Sequence, residues 1–220
     1  MFNCAEPQKA IAWREIKDQA GFLAPYGFTT AERRHPDFRS HGTGTCEWDG
    51  AVWPFATSQT LNGLMNVLRG PEQPYVTRSD FFDAMQKYSR GHRKDGKPYI
   101  GEYFDELTGQ WLITEPKAAR SRDYNHSTFC DLVIRGLVGI VPRDDDIVEI
   151  NPLVPPKTWD WFCLDGVAYH GRQLSIIWDR TGNQYKRGAG LAIWADGKEL
   201  ARTDELGRLT AKLPTVRTDY

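Results

Sequence analysis

The sequence predicts a mainly α chain over residues 1–143 followed by a small antiparallel, sandwich-like β-domain over 144–220. Three observations predict it. Apolar residues recur at helical spacing in several stretches before Pro142. Long polar loops alternate with short links between those stretches, as in an array of helical hairpins. After Asp144-Asp145-Asp146 the apolar period shortens to two, and turn signals become frequent.

Residues 8–19 predict a first helix, with Ile11 and Trp13 near its middle and Gly21 as its stop. A polar stretch runs from Gly21 to Gly50. Loops of that length inside a compact domain are uncommon and usually functional. Trp53-Pro54 opens a second helix, with proline at the first helical position. Leu61, Leu64, Met65 and Leu68 form its apolar stripe, and Gly70-Pro71 ends it. Thr77-x-x-Asp80 resembles a capping box for a third helix, whose buried face is Phe81, Phe82, Met85 and Tyr88. A second long loop covers His92 to Asp123. Asn125 then reads as the cap of a further helix carrying Phe129, Leu132, Val133, Leu137 and Ile140, closed by Pro142. Strands are expected at Ile147–Ile150, Trp159–Leu164 and Gln173–Trp178. Leu191–Trp194 and Glu199–Arg202 form a hairpin about Asp196-Gly197.

With 220 residues and 40% hydrophobic content the chain can bury a real core, so disorder is not expected. The net charge of -1 suggests neither a nucleic-acid partner nor an anionic membrane. No apolar run approaches the roughly 20 residues that span a bilayer, and no signal peptide is visible. Cys4, Cys46, Cys130 and Cys163 lie far apart and read as buried free thiols. His35, His41, His92, His126 and His170 form no metal pattern, so no metal and no cofactor are expected. The compartment is not readable.

Two loops concentrate residues that suit sugar chemistry: Cys46 to Pro54, and Gly101 to Gly109. A pyranose has an apolar C–H face and a polar rim, so tryptophans among carboxylates fit it; equally, a loop tryptophan can simply anchor to the core. Glycoside hydrolysis needs two carboxyl groups about the scissile bond. In the inverting case they stand roughly 6.5–9.5 Å apart, leaving space for the attacking water.

The motifs carry a resemblance. Trp48-Asp49-Gly50-x-x-Trp53-Pro54 resembles a stretch of processing α-glucosidases and trehalases. Glu102-Tyr103-Phe104-Asp105, followed by Thr108-Gly109, is similar to the segment that bears their catalytic base. Asn125-His126-Ser127 and the run to Pro142 resemble their last barrel helix. The group is that of six-hairpin inverting glycoside hydrolases: mannosylglycerate-hydrolase-like, trehalase-like and processing α-glucosidase-like. It implies that residues 1–143 form the C-terminal part of an (α/α)6 toroid and that the substrate is a carbohydrate. It further implies hydrolysis of an α-linked glycoside with inversion, with Glu102 as the general base. Trp48, Asp49 and Trp53 would line the sugar subsite, with Tyr103 and Asp105 as orienting groups. His126 would reach the sugar or cap its helix. Position 51 is alanine where the α-glucosidase pattern has proline.

No segment matches the general acid of these families. Glu32 stands beside Arg33 and Arg34, and such positive charge lowers a carboxyl pKa, contrary to the needs of a proton donor. Glu47 can face either way. Twelve helices need roughly 350 residues, so the acid is expected on a missing N-terminal part of the same enzyme, with the isolated chain weakly active or inactive. The alternative is a non-catalytic carbohydrate-binding or structural fragment of a larger glycosidase.

Overall fold

The computed structural model describes residues 7–39, 48–113, 121–123 and 128–214. The chain divides into two compact units, Met1–Leu132 and Val133–Tyr220.

The first unit begins with a 3₁₀ helix, Pro7–Lys17, where the sequence suggests an ordinary helix. A two-residue hairpin follows, β1 (Leu23–Ala24) with β2 (Gly27–Phe28). Helix α1 (Pro54–Arg69) starts where Pro54 supplies a preset φ and no N–H to satisfy. Leu61, Leu64 and Met65 are fully buried along its stripe. Helix α2 (Arg78–Gly91) opens with a complete capping box, since the Thr77 hydroxyl accepts the Asp80 N–H and the Asp80 carboxylate accepts the Thr77 N–H. Phe81, Phe82, Met85 and Tyr88 are buried, as their spacing requires.

A directional hydrogen-bond chain ties these helices together. The Thr128 N–H donates to Ser58 Oγ at 3.2 Å. Tyr88 Oη donates to the Pro54 carbonyl at 3.0 Å, so the Ser58 hydroxyl is the donor across the 2.7 Å contact to Tyr88. The stretch 92–123 is not a structureless loop. Its first residues form the hairpin β3 (Arg93–Lys94) with β4 (Lys97–Pro98), turned at Asp95-Gly96, both at positive φ. Helix α3, Phe129–Leu132, closes the unit. Asn125, read as its cap, lies outside the described residues.

The second unit opens with a π-helical turn, Val133–Val138. The sequence suggests one helix through Ile140, but Gly139 ends it. Its φ is +98°, its N–H donates to the Ile134 carbonyl, and a Cβ there would meet Asn151 and Pro152 backbone at 2.4 Å. Ile140 therefore lies in strand β5 (Ile140–Val141), which pairs with β6 (Ile147–Ile150); β11 (Leu209–Lys212) pairs on the other side of β6. A four-stranded antiparallel sheet contains β7 (Trp161–Tyr169), β8 (Arg172–Asp179), β9 (Gly190–Ala195) and β10 (Lys198–Thr203), in the order β10-β9-β8-β7. Leu174, Ile176 and Trp178 pack with Leu191 and Ile193 against Val148, Ile150 and Ala211, so both sheets share one core.

The mainly α reading, with its partial (α/α)6 toroid, is overturned. Among the described residues helices take 27% and strands 28%, in four antiparallel sheets. Among the described residues two α-helices, α1 and α2, exceed a single turn. Polar stretches read as loops fold into hairpins and single-residue bridges, and Gly139 cuts the last helix short. The thiols of Cys130 and Cys163 are free but exposed rather than buried. Cys4 and Cys46 lie outside the described residues.

Candidate functional site

Residues Trp48 to Trp53 and Gly101 to Trp111 meet through backbone pairing within the first unit. Val52 and Phe104 exchange N–H···O bonds of 2.9 and 3.0 Å. Val52 also bridges Thr29, and Phe104 also bridges Trp111, so four chain segments align across single rungs. This pairing places the flanking residues Trp53 and Tyr103 side by side. Their rings stack at 4.8 Å and 17°, and Trp48 stacks on Trp53 at 4.4 Å and 25°. The three rings form one pile. Trp53 and Tyr103 are each 1% exposed, whereas Trp48 is 46% exposed and carries Phe55 edge-on at 6.1 Å. Trp48 thus presents an open indole to solvent, held from beneath by two buried rings.

The segment after Tyr103 is a tight hairpin held by Asp105. One carboxylate oxygen of Asp105 accepts the N–H groups of Leu107 and Thr108 and the Thr108 hydroxyl, at 2.9, 2.7 and 2.9 Å. The Asp105 N–H donates to Gln110 and its carbonyl accepts from Gly109, which takes φ +71°. The Thr108-Gly109 pair therefore has a turn-forming role. Upstream, a side chain at Gly101 would meet Trp111 at 2.8 Å. Trp111 is itself fixed by donating its indole N–H to the Arg93 carbonyl at 2.9 Å.

Glu102 sits between these fixed neighbours. The motif has three carboxylates. Asp105 is 2% exposed and Glu106 0% exposed, while Glu102 alone is only half-buried. Asp49 is also half-buried, and Arg39 donates to its carboxylate at 2.9 Å. Arg39 has no sequence signal, since it lies ten residues away in the polar stretch. Glu32 is engaged by Arg34 at 2.6 Å, the salt-bridged state its neighbours imply. His126 and Glu47 lie outside the described residues. The structure brings Trp48, Asp49, Trp53, Glu102 and Tyr103 onto two paired segments, and it divides them into a solvent-facing set and a buried support.

His92 lies within the same unit, packed by Tyr88 and Phe129. Burial pushes its pKa below the ordinary 6.5. Its Nδ1 lies 2.7 Å from the Tyr88 carbonyl, so the neutral ring donates there.

The chain carrying this aromatic pile matches two models of the glycoside hydrolase group. The family model for the mannosylglycerate hydrolase MGH1-like glycoside hydrolase domain matches residues 1–127, and the model for the glycosyl hydrolase family 65 C-terminal domain matches residues 142–202. The chain belongs to the mannosylglycerate hydrolase MGH1-like glycoside hydrolase family. A solved structure named "Sialidase" is similar at 52% identity with a TM-score of 0.89, over 94% of this chain and 19% of that one. The chain therefore spans about a fifth of the length of that protein.

Proposed function

We propose that the chain supplies the water-activating side of a glycosidase active centre, with Glu102 as the general base in an inverting hydrolysis of an α-linked glycoside. One observation carries this reading. Of the three acidic residues in the motif, Glu102 alone is not buried, while Asp105 is consumed in building the turn. A general base must be ionised and open to water. On this reading the sugar lays its C–H face on Trp48, and Asp49, steadied by Arg39, accepts hydroxyl hydrogen bonds. Glu102 takes a proton from a water that attacks the anomeric carbon opposite the leaving oxygen. The group protonating that oxygen belongs to a part of the enzyme beyond these residues.

The test is Glu102→Gln in an enzyme that includes the acid-bearing part, assayed on a neutral α-glycoside and on a sialoside, since the similar structure bears the name sialidase. Turnover should fall roughly 10²–10⁴-fold with sugar affinity retained. NMR of the first-formed anomer reports inversion. Undiminished turnover, or retention of configuration, removes Glu102 from the role. The Trp48 pile also suits a second reading, a non-catalytic sugar-binding surface. That reading predicts binding with no Glu102-dependent hydrolysis.

A further inference from the structure

A ligand-sized recess lies on the second unit, on the outward face of the four-stranded sheet. Pleating turns Leu174, Ile176 and Ile193 inward to the core. It turns Cys163, Ser175, Ile177 and Trp194 to the other face, where Cys163 opposes Ile177 and Ser175 opposes Trp194 across neighbouring strands. That face is built up by the connection 180–189. The Asp179 carboxylate accepts the N–H groups of Gly182 and Tyr185 at 2.8 and 2.9 Å. Arg202 donates to the carbonyls of Arg187 and Ala189 at 2.6 and 2.7 Å. Tyr185 and Arg187 are thereby held as one wall, with the Arg187 guanidinium 4.8 Å from the centroid of the Trp194 ring. Exposed Trp161 stands edge-on to Tyr185 at 6.1 Å. Asp165, which accepts the Ser175 hydroxyl, and Gln173 also line the recess. The space measures about 530 Å³, within the roughly 300–1,000 Å³ typical of small-ligand sites.

We propose that this recess is a second saccharide-binding site, taking a neutral oligosaccharide, apart from the site around Trp48. A sugar ring needs a flat apolar surface edged by both donors and acceptors. Tyr185 and Trp194 offer the surface, Asp165 accepts, Arg187 donates, and Ser175 and Gln173 do both. The charges argue for a neutral ligand. Asp196 is held by Arg172 at 2.9 Å, which leaves Asp165 and Arg187 of opposite sign and no cluster of cations for a phosphate or polyanion. The floor and one side are strand residues, so the polar groups are rigidly placed. In a glycoside hydrolase such a site would hold a longer glycan while its end is cut. The proposal stands independently of the role of Glu102.

The test is a glycan microarray probed with the full chain, the double variant Tyr185→Ala/Asp165→Ala, and Trp48→Ala, followed by calorimetry with the best-retained glycan. Asp165 is exposed and Tyr185 half-buried, and an unchanged melting temperature confirms the fold. The expected result is retention of a neutral glycan that weakens about tenfold in the double variant and persists in Trp48→Ala. Gln173→Ala, also at the surface, should weaken it in the same direction. Retention of no glycan overturns the proposal. So does binding lost only in Trp48→Ala, which belongs to the first site, or binding of anionic glycans alone that salt abolishes.

Discussion

Asp105 shows how one buried carboxylate can shape a candidate site by holding the backbone of a turn. Three donors converge on a single oxygen, closing the turn that follows Tyr103, whose ring stacks on Trp53. Asp105→Ala leaves those donors without an acceptor, a cost of about 1–3 kcal/mol. Urea unfolding should register that loss, with Asp105→Asn recovering part of it through its remaining carbonyl. Equal stability of the alanine variant and the parent would show that the turn does not depend on this side chain. The buried rings act similarly at a distance. Trp53 and Tyr103 are covered, so under the proposed function they act on sugar binding only through the attitude of Trp48.

At the scale of elements, local chemistry was legible and long-range chemistry was not. Pro54 and the Thr77/Asp80 pair declare helix starts because the residues involved bond within one turn. Thr77→Ala removes one half of the box and should cost roughly 0.5–2 kcal/mol, read as a lower urea midpoint; no change would mean that Gln73 and Lys17 contacts nearby hold the helix start instead. Asp196-Gly197 declares its hairpin because apolar alternation flanks it. Asp95-Gly96 makes the same turn without declaring it, since Arg93, Lys94 and Lys97 around it are polar and show no alternation. The end of the last helix escaped because Gly139 owes its positive φ to Asn151 and Pro152, residues remote in sequence from the helical stripe. The site divides in the same way. Residue types marked both loops, but the stack of Trp53 on Tyr103 joins positions fifty residues apart, and the Arg39 partner of Asp49 carries no motif.

At the scale of the whole molecule, the two units hold different titrating groups and should meet acid differently. In the first, burial lowers the His92 pKa from 6.5, opposed by its bond to Tyr88. The unfolded chain therefore takes up this proton first as pH falls. Stability from His92 is fully present above 6.5 and drains as pH drops through the lowered folded value. In the second unit, Glu149 sits between Arg208 at 2.7 Å and Arg143 at 2.8 Å, which hold its carboxyl below the ordinary 4.5. The Arg143 hydrogen bond lowers Asp145 from 3.8 to about 2. These carboxylates stabilise the unit above pH 4.5, and their contribution fades only below it, toward pH 2. Between pH 6.5 and 4.5 the first unit should loosen while the second holds. Hydrogen exchange across this range, corrected for its intrinsic pH dependence, should show protection falling first in α1 and α2 and later in β6 and β11. His92→Gln should flatten the early phase alone, and Glu149→Gln should lower second-unit stability at neutral pH by about 1–3 kcal/mol by weakening two charged hydrogen bonds. Loss of protection in β6 and β11 ahead of α1 and α2 would mean that groups other than these set the acid response.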